Sequence, residues 1–117
     1  MNDVVLGLFD LNEEIERFRP NEDNAAGRRA ETLIKNDRLR VVLVTMRTGI
    51  VLQEHLAPGP ITIHVLRGRF NVRYADQARE LGPGELISLA TNVRHAVETL
   101  EEGAFLLTIG WGGRSDA

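Results

Sequence analysis

The chain has no cysteine among its 117 residues, which excludes disulfides, thiolate metal sites and cysteine nucleophiles. It has no concentrated basic run either: 14 basic residues face 17 acidic ones, the formal charge is −3 and the pI is near 5.6. A surface that tracks phosphates needs such a run, so nucleic-acid binding is not expected. The longest apolar runs, "RVVLVTM" and "AFLLTIGW", fall well short of the roughly 20 residues that cross a bilayer. The opening "MNDVVLGLFDLNEE" lacks the basic start and the sustained apolar core of a secretory signal. A cytoplasmic location with no membrane partner is the default expectation. Heptads, solenoid-length repeats and a strand-helix-strand rhythm are all missing, which removes coiled coils, solenoids and doubly wound sheets.

What remains is ordinary globular chemistry, 43% hydrophobic and 26% charged, in a length that builds one core. Residues 1–27 read as a helical or loop segment packed on the main body. In "DLNEEIERF", Asp10 or Asn12 caps a short helix that carries Leu11, Ile15 and Phe18 at helical spacing, and Pro20 stops it. Residues 28–117 read as one barrel domain of short strands between turns. "AETLIK" and "LRVVLVTMR" flank the turn "NDR"; "IVLQEH" and "ITIHVL" flank Pro-Gly-Pro. "RFNVRY" alternates Phe70, Val72 and Tyr74 against Arg69, Asn71 and Arg73, the mark of a strand with one dry face. Breaks are expected at Gly68 and at "EEG", residues 101–103. Trp111 is expected to cover the barrel edge, and the tail "GGRSDA" to fray. Strands of five to eight residues with a turn every ten or so indicate an antiparallel sandwich or barrel.

The informative stretch is "GIVLQEHLAPGPITIHVLRG", Gly49 to Gly68. With Gly82-Pro83-Gly84-Glu85, Asn92 and His95 it resembles the two motifs of the cupin superfamily. In that family the first motif runs glycine, five residues, His-x-His, an acid or other ligand, and a closing glycine; the second runs glycine, five residues, Pro-x-Gly, two residues, His. Gly49 stands six before His55, and Gly84 six before Ala90 and eleven before His95, as those spacings ask. The resemblance spans residues 28 to 111 and implies an all-β fold with a short N-terminal helix: a double-stranded β-helix, the jelly-roll barrel of RmlC-like cupins. It also implies pairing through an outer sheet, hence a homodimer.

The departures bear on function. The register puts Ala57 where the second motif histidine belongs and Ile61 where the acid belongs, while Ala90 and Asn92 replace the proline and glycine of the second motif. Asparagine tolerates the left-handed backbone that a glycine would supply. Of the four side chains that hold metal in the family's complete sites, His55 and His95 remain. Divalent transition metals want three or four donors, so two imidazoles leave the shell short. Gln53 shares strand parity with His55, although its amide oxygen suits softer metals poorly. His64 shares parity with Thr62 and Leu66 and is expected to point away from the site, on a half-buried surface.

The resemblance therefore implies a small-molecule pocket lined by Val51, Gln53, His55, Ile61, Ile63, His95 and Val97, with the metal site reduced or absent. The alternative is a metal-dependent dioxygenase or isomerase in which His55, His95 and a third ligand hold a divalent ion such as Fe(II), Mn or Ni. A structural or regulatory module acting through its dimer surface is the third reading. Arginines 67, 69, 73 and 79 read as a solvated sheet face, one of which could anchor a carboxylate. "GPG" is a turn and not a phosphate loop, and no serine has a nucleophile-elbow context.

Overall fold

The computed structural model describes residues 4–20 and 24–110, with the backbone alone at Glu54 and His55. Trp111 and the tail lie outside the described residues. Helix α1 (Leu11–Arg17) precedes β1 (Arg28–Lys35), β2 (Leu39–Met46), β3 (Val51–His55), β4 (Ile61–Tyr74), β5 (Gln77–Leu81), β6 (Leu86–Leu89) and β7 (His95–Gly110). Asp10 caps α1, its carboxylate accepting from the backbone amides of Asn12 and Glu13 at 3.0 and 3.3 Å.

Two strands are far longer than the sequence pattern predicts, and they organise the rest. β4 and β7 pair along nearly their whole lengths, Ile61 opposite Ile109 at one end and Tyr74 opposite His95 at the other. Their halves belong to different sheets. Residues 103–110 of β7 pair with β2, which pairs with β1, and residues 61–64 of β4 pair with β6. Residues 95–98 of β7 pair with β3, and residues 70–74 of β4 with β5. One hydrogen-bonded ladder is thus folded over on itself into a double-stranded β-helix.

The fold-over happens at Gly68 and Gly103. Gly68 has φ +78, and the β4–β7 register shifts between Val65 and Phe70. A methyl on Gly68 would lie 2.5 Å from the carbonyl oxygens of Glu101 and Glu102; one on Gly103 would lie 1.9 Å from the Arg67 carbonyl. The expected breaks at Gly68 and residues 101–103 are therefore bends. Glycine lets the two backbones cross in contact, and pairing resumes beyond the corner.

The core fills the fold. Phe70 of one sheet meets Phe105 of the other edge-on, centroids 5.1 Å apart, and both are fully buried. Val42, Val44 and Met46 face this core from β2, while Leu43 faces outward under Ile15 of α1, together with Ala104, Leu33 and Phe18. β2 reads as an unbroken apolar run because the barrel covers one face and the helix covers the other. Leu66, expected on a half-buried surface available for pairing, packs into this helix-covered cluster.

Polar contacts fasten α1 beside the glycine corner. The Thr45 hydroxyl donates to the Phe18 carbonyl at 2.7 Å. Glu16 accepts from Arg67 and from Arg19, and Arg19 also reaches Glu102 at 2.9 Å. The hydrogen bonds from Arg67 first, and from Arg19 second, hold the Glu16 carboxyl below its ordinary value of 4.5. Among the described residues no helix is long and apolar enough to cross a membrane.

Two predictions follow from the corner and its strap. Gly103→Ala should leave no cooperative urea transition, or lower stability by more than about 4 kcal/mol, since a backbone atom must move. Gly84→Ala, at a residue whose φ is +87 but with nothing within 4 Å of the added methyl, should cost only about 1–2 kcal/mol. Equal losses would show that close approach is not what Gly103 provides. Glu16→Gln tests the strap through pH. A carboxyl with a lowered folded-state pKa stabilises the fold above its unfolded value and loses that contribution as pH falls through the folded value. The variant should melt slightly below the parent at pH 7, and the gap should close as the pH falls from the ordinary carboxylate range through the lowered folded-state value. A gap independent of pH would mean that the charge is irrelevant.

Candidate functional site

The bent strands bring their two ends together at the end of the barrel opposite the glycine corner. β7 begins at His95 in one sheet and finishes at Ile109 and Gly110 in the other. A cavity of about 450 Å³ opens here, between the β1–β2 hairpin and the β3 edge. Cross-strand rows build its floor. Arg40 lies opposite Ile109, which lies opposite Ile61; Val42 lies opposite Leu107. Ala30, opposite Val44, lines the β1 side, and Leu52, Leu56, Ala57 and Pro58 line the other.

His95 lines the cavity and is 2% exposed. Its Nδ1 lies 3.0 Å from the Val93 carbonyl, which can only accept, so Nδ1 carries hydrogen and the ring, when neutral, has its lone pair on Nε2. Such a ring can accept a proton, accept a hydrogen bond or ligate a cation. Asn92, at φ +64, holds the left-handed turn just before it, and its amide reaches the Ala57 carbonyl at 3.4 Å. That bond joins the two motif loops.

The other expected site residues divide. Ile61 lines the cavity, whereas Ile63 and Val97 are buried in the core and do not line it. Val51 and Gln53 do not line it either, and Leu52 does. The cause is local. Leu52 lies opposite Val97, but His55 lies opposite His95, so β3 carries one extra residue between the two pairs. That bulge inverts the parity of Val51 and Gln53 relative to His55, placing Val51 opposite outward Glu98. The register sets His55 directly opposite His95; its side chain lies outside the described residues. His64 alternates with the buried Ile63 and Val65, on the face away from the cavity.

The charge around the cavity comes from residues the sequence reading passed over. Arg28, Arg29 and Arg40 line it, and no acidic residue does among the described ones. Arg29 is engaged elsewhere, over the Phe18 ring at 5.1 Å and toward Glu31 at 3.7 Å. Arg67, Arg69 and Arg73, expected on a solvated face, each hold an acid there: Glu16, Glu80 and Glu98. Arg28 and Arg40 hold none among the described residues. A signal was present in "LRVVLVTM": Arg40 belongs to the same inward row as Val42, Val44 and Met46.

A metal fits the described residues poorly. Ala57 and Ile61, at two ligand positions of the resemblance, are buried apolar side chains, 8% and 2% exposed. Among the described residues no three histidine or acidic side chains come together.

The architecture, two facing antiparallel sheets made from one folded ladder, defines a double-stranded β-helix of jelly-roll type. The chain has the fold of the cupin superfamily. No protein-family model matches it, and no curated protein matches its sequence. Solved structures do. An RmlC-like cupin from Shewanella frigidimarina NCIMB 400 shares 22% identity at a TM-score of 0.70, covering 81% of this chain and 85% of that one. A double-stranded β-helix, RmlC-like cupin from Methanocaldococcus jannaschii shares 13% at 0.66, covering 77% and 85%. A conserved protein of unknown function from Streptococcus pyogenes shares 18% at 0.71, covering 77% and 79%.

Elemental analysis of protein purified without chelator should find transition metal well below one ion per chain. Near-stoichiometric metal that disappears in both His55→Ala and His95→Ala would establish a third ligand and favour a metal-dependent enzyme.

Proposed function

We propose that this protein binds a small organic molecule in the open end of its barrel, with no metal needed to hold it. One observation carries the reading: a cavity of about 450 Å³, mostly apolar, with the buried imidazole of His95 in its wall. Small-ligand sites are apolar clefts of roughly 300 to 1,000 Å³ with a few polar groups that fix orientation. Val42, Val44, Ile61, Leu107 and Ile109 supply the apolar surface, and His95 supplies one of the orienting groups. The replacements at Ala57 and Ile61 serve the same end, since each puts hydrocarbon where a complete metal site would put a donor.

A neutral fluorescent probe, N-phenyl-1-naphthylamine, tests this without bringing a charge of its own. It should bind saturably, one per chain, and brighten on transfer from water. Ala30→Trp places an indole at the cavity wall from the exposed edge strand β1, where it should leave the fold intact. It should weaken probe binding about tenfold, equivalent to about 1.4 kcal/mol. Non-saturable binding, or a folded Ala30→Trp protein that binds as the parent does, would remove the cavity as the site.

A further inference from the structure

We infer that the ligand of this cavity is an organic anion, an apolar body bearing a carboxylate-type head that sits on Arg40; the inference rests on the pocket reading above. Arg40 is half-buried at the floor of the cavity, and its Nε is buried with no acceptor among the described residues. Among the described residues its side chain makes one hydrogen bond, a long one from Nη2 to the Thr32 hydroxyl at 3.4 Å. An arginine cannot shed its charge, and no acid among the described residues neutralises this one, so its guanidinium presents an unanswered positive charge in the cavity wall. The chain supplies acids freely to outward arginines, Glu16 to Arg67, Glu80 to Arg69 and Glu98 to Arg73, and none to this one.

The surroundings select the rest of the ligand. Arg40 lies opposite Ile109, beyond which Ile61 continues the row, so hydrocarbon adjoins the guanidinium directly. His95, at the start of β7, stands on the facing sheet at the same end of the barrel. Arg28 does not share the headgroup. It lies opposite Met46, and the run from Arg40 to Met46 along extended β2 is about 20 Å. One planar fork matches one carboxylate in two parallel hydrogen bonds, whereas a phosphate ester carrying two charges would call for more donors than the described lining converges. The body then extends from Arg40 over Val42 and Leu107 toward β1.

A matched pair of probes separates head from body: 3-phenylpropanoate and its neutral amide, 3-phenylpropanamide, titrated by calorimetry at low salt. The acid should bind about tenfold more tightly than the amide. Arg40→Gln should abolish that preference, bringing acid and amide to the same affinity, while Arg79→Gln, on exposed β5, should leave the preference intact. Equal binding of acid and amide to the parent would overturn the anion inference and leave the pocket standing. Binding of neither probe would overturn both. Should Arg40→Gln fail to melt cooperatively, Arg40→Lys keeps the charge without the fork and should lose part of the preference; full retention there would refute the bidentate head.

Discussion

The contact on which this protein depends is between two backbones. Arg67 and Gly103 approach so closely that a single methyl would sit 1.9 Å from a carbonyl oxygen, and Gly68 completes the crossing from the other strand. Hydrogen-bonded ladders ordinarily run straight with a gradual twist; closing one on itself needs a sharp corner in adjacent strands at the same level. Glycine at both positions supplies that corner without interrupting either strand. The consequences run outward from it. The two halves of β4 and of β7 become facing sheets, Phe70 and Phe105 meet across the interior, and the ends of β7 are brought together at the far end of the barrel.

Electrostatics sorts the two surfaces of the same sheet differently. On the outside, arginine is matched with glutamate: Arg19 with Glu16 and Glu102, Arg67 with Glu16, Arg69 with Glu80. For Arg69 the Glu80 hydrogen bond is the leading cause of a raised pKa. Exposed pairs of this kind contribute little each, and their use is positional, holding α1 over Leu43 and Ala104 beside the corner. Inside, Arg40 interrupts an otherwise apolar row with a charge that nothing described in the chain neutralises. Among the described residues the acids pair with arginines on the outer face and none lines the cavity, so the guanidinium of Arg40 there faces whatever enters.

Much of this was legible in the sequence, and the failures have physical reasons. Strand existence, the turn at Gly82–Gly84 and the left-handed Asn92 follow from residue types whose backbone preferences are strong. The length of β4 and β7 was not legible, because a glycine that ends a strand and one that bends it look alike in one dimension. Parity at Val51 and Gln53 was lost to the one-residue bulge before His55, since an insertion in a period-two pattern exchanges the faces of everything upstream. Arg40 was overlooked because a charged residue at the start of an apolar run reads as a strand boundary. Its alternation with Val42, Val44 and Met46 signalled an inward position, and the ladder, which continues one full row past Val42, places it there.

The replaced motif positions bear most directly on the choice between binding and metal catalysis. An alanine or isoleucine at a ligand position removes a donor and also supplies hydrocarbon, which raises the cost of desolvating any ion nearby. Ala57 and Ile61 are both buried and both line the cavity, so the change applies where an ion would sit. Ala57 is further tied down by the Asn92 amide on its carbonyl, so its loop is held in place without a metal to order it. The same low-dielectric surface that disfavours a bare cation strengthens an ion pair between Arg40 and an incoming carboxylate, provided that water is excluded as the apolar body settles. Apolar replacement in the first motif and an unneutralised arginine one row along the same wall are thus, on the reading proposed above, two parts of one physical arrangement, in which the protein carries the positive charge and the ligand the complementary one.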